Sequence, residues 1–138
     1  MQRFILTIPL LLMLTSVLSA AEPVKFSRDI LPILSDRCFH CHGPDESQRE
    51  ADLRLDLREE AIRDRDGTPV ITPGRPDQSE IITRISSDDE FTVMPPPDSH
   101  RQPLTKAQQE TFKRWIAQGA VWGRHWSFEK PIRPQLPA

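Results

Sequence analysis

A chain of 138 residues has room for one domain, and 18 lysines and arginines against 20 acidic residues give a formal charge of −2. So weakly acidic a chain offers no electrostatic reason to bind nucleic acid. Fourteen prolines with five glycines and no tyrosine predict short helices joined by irregular backbone.

The first segment reads as a targeting sequence. Met1-Gln2-Arg3 is a short basic start, and residues 4–18 form an apolar run that lacks the length and flanking charges of a membrane span. Ser19-Ala20-Ala21 supplies the small residues of a cleavage site, after Ala21 or after Ala20. Residues 1–21 are therefore expected to be a signal peptide that directs the chain to the periplasm or another extracytoplasmic space. Its removal leaves 117 residues, no membrane span, and 17 basic against 20 acidic residues, a formal charge of −3.

In the mature chain, Asp29 suits an N-cap and places Pro32 in the first turn of a helix, where its missing N–H has no intrahelical partner to lose. Ile30, Ile33, Leu34 and Cys38 share one face of that helix, so its apolar stripe runs into Cys38-Phe39-His40-Cys41-His42. Gly43-Pro44 is expected to stop it.

A C-x-x-C-H run sets two thiols about one helical turn apart, able to add to the two vinyl groups of one haem, with the adjacent imidazole reaching the iron. Cys38 and Cys41 are then thioether anchors and His42 the proximal ligand, with Phe39 and His40 as spacers. A disulfide is one competing reading in an exported chain. A zinc site using the two thiols with His40, His42, His100 or His125 is another.

Residues 45–51 are polar and read as a surface loop. Leu53, Leu55 and Leu57 alternate with Arg54 and Asp56, which predicts a short extended stretch with one buried face. Asp56 with Glu59 forms the pattern of a capping box opening a helix over residues 57–63, and Asp77 with Glu80 repeats it before a helix over residues 78–86. Ile81, Ile82 and Ile85 share a face of the second helix and suit either a core or a cofactor wall.

Residues 87–103 form a long segment without periodicity, and such a loop in a small domain is usually functional or disordered. At its centre lies Val93-Met94-Pro95-Pro96-Pro97. Met1 and Met13 leave with the signal, so Met94 is the only thioether sulfur of the mature chain, held on a proline-stiffened loop. That suits a distal iron ligand better than a filler of core gaps. Thr105 with Gln108 predicts a third capping box and a helix over residues 106–118 ended by Gly119, with Phe112, Trp115 and Ile116 facing inward and Trp115 at the crossing with the first helix. Pro131, Pro134 and Pro137 mark residues 124–138 as a tail or linker. His100 and His125 read as surface histidines, and Arg54 and Arg75, which could pair with haem propionates, read as solvated loop charges.

Together these segments resemble a cytochrome c domain, and more narrowly the planctomycete-type cytochrome c domain. The matching pieces are Phe26 to Asp29 leading to Ile33-Leu34, Cys38 to His42 followed by Gly43-Pro44, Leu53-Arg54-Leu55-Asp56, Pro73-Gly74, Met94-Pro95-Pro96, Leu104-Thr105, Trp115-Ile116 and Gly119-Ala120. The resemblance implies an all-α fold of short helices and long loops over residues 22–123 around one covalently bound haem c. It also implies Cys38 and Cys41 as covalent attachment points, with His42 and Met94 as proximal and distal ligands of the iron. The expected activity is one-electron transfer to a redox protein partner rather than catalysis. A haem enzyme or sensor with a labile sixth ligand, and a cytochrome docking module of a longer protein with further domains beyond Ala138, are the alternatives.

Overall fold

The computed structural model describes residues 22–65, 67 and 69–123. The expected signal peptide over residues 1–21, the histidine at 125 and the tail over residues 124–138 lie outside the described residues. Among those described, the elements are helical and joined by turns and loops, with no strand, so the domain is all-α.

The chain enters through a π-helical turn, Phe26–Ile30, that continues directly into α1, Leu31–Arg37. Helical structure thus starts three residues before Asp29, the expected cap. Asp29 lies inside the turn, and its carboxylate reaches back to accept the Lys25 N–H at 2.8 Å, while its own N–H donates to the Lys25 carbonyl at 2.8 Å. The residue still satisfies an early donor, but from within the helix. Pro32 occupies the first turn of α1 as expected.

At Cys38 the helix breaks and restarts as α2, Phe39–His42. Gly43 ends it because no side chain fits there: a Cβ on Gly43 would lie 2.2 Å from the Phe39 carbonyl oxygen, a backbone atom that cannot swing aside. Gly43→Ala should therefore destabilise the fold by about 1–3 kcal/mol, as overpacking does. An unchanged urea midpoint for that variant would contradict the close approach.

The alternating leucines are not a strand. Leu55 is buried and Leu53 half-buried, but Leu57 is exposed, because the chain has turned toward α3, Arg58–Ile62. Neither of the first two expected capping boxes forms. Leu57 precedes α3 with no side-chain cap, since the Asp56 carboxylate is engaged by the Arg54 guanidinium. Before α4, Glu80–Ser86, the cap position falls to the buried Ser79 after a 3-10 turn at Pro76–Gln78. Ser79 Oγ accepts the Thr72 N–H and donates to the Arg75 carbonyl, both at 2.9 Å, while Glu80 receives two N–H groups of Arg84 one turn ahead. In each failed box a local arginine took one of the assigned carboxylates, Asp56 in the first and Glu80 in the second.

The third capping box is present. Thr105 and Gln108 cap α5, Lys106–Ala117, reciprocally. At its other end Gly119, at φ +96°, donates to Ile116 O, and Ala120 N–H donates to Trp115 O, the paired bonds of a Schellman motif. Phe112, Trp115 and Ile116 are fully buried with Ile30, Leu34 and Ile71. Trp115 meets the entering turn as expected, its ring centroid 5.7 Å from that of Phe26. Trp122 packs on the same Phe26 ring at 4.5 Å, and the Val24 N–H donates to Gln118 Oε1 at 2.8 Å. These contacts hold the start of the described domain against its last helix. No helix among the described residues is long and apolar enough to cross a membrane.

Candidate functional site

The C-x-x-C-H run occupies the break at Cys38 and all of α2. Helical bonds set its geometry: the Cys41 and His42 N–H groups both donate to the Cys38 carbonyl, at 3.2 and 2.8 Å. The three reactive side chains thereby stand on one short turn, with two free thiols.

The loop that follows is tied back onto this turn. The Glu50 N–H donates to the Cys41 carbonyl at 2.7 Å, the Leu55 N–H donates to the His42 carbonyl at 2.8 Å, and Arg49 donates to the carbonyls of Gly43 and Pro44 at 3.2 and 3.0 Å. Directly after Glu50, Ala51 and Asp52 both adopt positive φ, so the chain reverses there. The reversal leaves the Glu50 carbonyl 3.3 Å from His42 Nδ1. With Nδ1–H donating to that oxygen, Nε2 keeps its lone pair for a metal.

A cavity of about 330 Å³ opens beside the run, within the range of pockets that hold sizeable organic ligands. Cys38, Cys41, His42 and Met94 all line it, although Met94 comes from a loop 52 positions further along the chain. Leu53, Leu55, Val70, Ile81 and Ile85 supply its apolar wall, and Pro95 and Pro96 continue it beside Met94. Ile82 packs against the core instead. The Met94 N–H donates to the Arg84 carbonyl at 3.1 Å, which fixes the loop to the end of α4, and the Met94–Pro95 peptide is cis.

Burial pushes the Cys38 thiol up to about 12, so it carries at neutral pH the S–H that adds across a vinyl group. Among the described residues no group of three or more His, Cys, Asp or Glu side chains is placed to hold a metal ion. Burial also lowers the His42 pKa, partly offset by the Glu50 carbonyl, so the ring is neutral and able to ligate. The residues fit a haem: two free thiols for addition, one oriented imidazole, one thioether sulfur and an apolar wall.

The remaining candidates lie elsewhere. His100 is exposed, and His40 is exposed at the cavity rim. Arg54 pairs with Asp56, and Arg75 lies 3.9 Å from Asp77. The arginines that line the cavity are Arg37, Arg65, Arg84 and Arg101. None carried a motif; only folding brings them to one wall. The Glu50 carbonyl was equally hidden, being a backbone atom.

The helical pocket thus gathers the C-x-x-C-H side chains and a methionine sulfur at one cavity. A family model described as Planctomycete cytochrome C matches residues 38–98, from the first thiol to just beyond Met94. Over those residues the chain is similar to planctomycete-type cytochrome c domains. No curated protein and no solved structure gives a significant match.

Proposed function

We propose that the domain binds one haem c and carries single electrons outside the cytoplasm, with Cys38 and Cys41 as thioether anchors, His42 Nε2 as proximal ligand and Met94 sulfur as distal ligand. The observation that carries this reading is the convergence of those four side chains on one apolar cavity. The haem iron supplies the one-electron couple. His42 is held to one tautomer by the Glu50 carbonyl, and the leucines and isoleucines of the wall exclude water. The soft Met94 sulfur favours the reduced metal, and with His42 it leaves no open position for oxygen chemistry. Four arginines, Arg37, Arg65, Arg84 and Arg101, line the cavity against one carboxylate, Glu80, which is paired with Arg84, and the excess of positive charge suits the two acid groups of a haem.

Protein produced with a cytochrome c maturation system should give the pyridine haemochrome spectrum of a haem with both vinyl groups saturated, at one haem per chain. Protein without covalent haem after such expression would sink the proposal.

A further inference from the structure

The end of α1 and the loop after Met94 are joined by two reciprocal bonds. Arg37, the residue before Cys38, donates through Nη1 to the Gln102 carbonyl at 3.0 Å. Arg101 donates through Nη1 to the Asp36 carbonyl at 2.9 Å. Each arginine thus holds the backbone next to the other, and the Asp36 carboxylate lies 2.8 Å from Arg37 Nε, which steadies the first of them.

The chain between Met94 and Arg101 is short and braced. Three prolines follow Met94, and Pro97–Ser99 form a 3-10 turn. Ser99 Oγ donates to the Pro96 carbonyl at 2.6 Å and accepts the Arg101 N–H at 3.3 Å. A displacement of Arg101 is therefore passed along the loop rather than absorbed by it. On its other side Met94 is tied to the Arg84 carbonyl. Sulfur position is thus set from two ends, one on α4 and one on the segment that carries the thiols.

We propose that Arg37 and Arg101 are positioning residues: their reciprocal clasp holds the Met94 loop against the C-x-x-C-H segment and so keeps the sulfur on the iron. This rests on the reading of Met94 as distal ligand. The two bonds close one contact, so losing either opens it and losing both adds little.

The test uses full-length, haem-loaded protein carrying Arg37→Ala, Arg101→Ala, both, or Arg101→Lys, with Met94→Ala as reference. Carbon monoxide binding to the reduced protein and the ferric sulfur-to-iron charge-transfer band report how often the sulfur is off. Each single alanine variant should speed carbon monoxide binding about tenfold, as expected for one lost charge-assisted bond at a partly exposed site. The double variant should exceed a single one only slightly, and Arg101→Lys should recover part of the loss. Wild-type rates in the arginine variants, with a fast Met94→Ala, would overturn the clasp alone. A Met94→Ala protein with wild-type rate and band would overturn the ligand reading beneath it. Rates that rise only in proportion to a fall in global unfolding stability would reduce both arginines to general supports and also overturn the clasp.

Discussion

Chains carrying both Cys38→Ala and Cys41→Ala should lose all haem on acid–acetone extraction, while each single variant keeps the haem through one thioether. The expectation follows from the geometry of the turn. Both thiols line one cavity and are free, and the raised pKa of Cys38 leaves an S–H group to add across a vinyl double bond. Each addition saturates one vinyl, so the pyridine haemochrome bands of the single variants should lie between those of the wild type and of free haem. The effect on the apo fold should be small, since neither cysteine is fully buried and alanine is a good helix former. Covalent haem in the double variant, or an alternative cysteine product in the wild type, would remove the basis of the proposed function. The double variant therefore separates cofactor attachment from folding more cleanly than a change at Ile30 or Trp115, both fully buried in the core.

Met94→Ala should have the second largest effect, at the iron rather than at the attachment. Loss of the thioether removes the ligand that favours the reduced state, so the potential should fall by about 100 mV or more, part of the roughly 0.8 V that axial ligation spans. The variant should also bind carbon monoxide rapidly without denaturant. The surrounding fold should survive, because the Met94 N–H bond to Arg84 is a backbone contact that alanine keeps. Spectroelectrochemical titration checks the potential, and an unchanged midpoint would remove Met94 from the coordination sphere. A wild-type protein that already bound carbon monoxide rapidly would instead favour an enzyme or sensor with a labile sixth position.

What could be read from the sequence depended on how local each device is. The C-x-x-C-H turn is contiguous, and the capping box of α5 has its partners three positions apart with no rival nearby, so both were visible. The same capping pattern misled at Asp56 and Glu80. Arg54 sits two residues from the one and Arg84 one helical turn from the other, and charge pairing outcompeted the cap in each case. Met94 stood out only because it is the one methionine after the apolar run of residues 4–18. The Glu50 carbonyl could not stand out: its placement depends on the left-handed pair Ala51 and Asp52, two residue types with no strong demand for that conformation. The cavity arginines were hidden for a third reason. Arg37 and Arg101 meet backbone carbonyls 65 positions away, and nothing in the pattern of either neighbourhood announces the other.

The bond from Val24 to Gln118 joins positions 94 apart at the margin of the described domain. Chain arriving before Val24 and chain departing after Gln118 therefore share a single doorway, floored by Phe26, Trp115 and Trp122. Val24, Phe26, Trp115, Gln118 and Trp122 are all absent from the cavity wall. Such a domain can be threaded onto a longer polypeptide like a bead whose hole lies at one edge, and tension or added sequence at that edge need not reach the cavity.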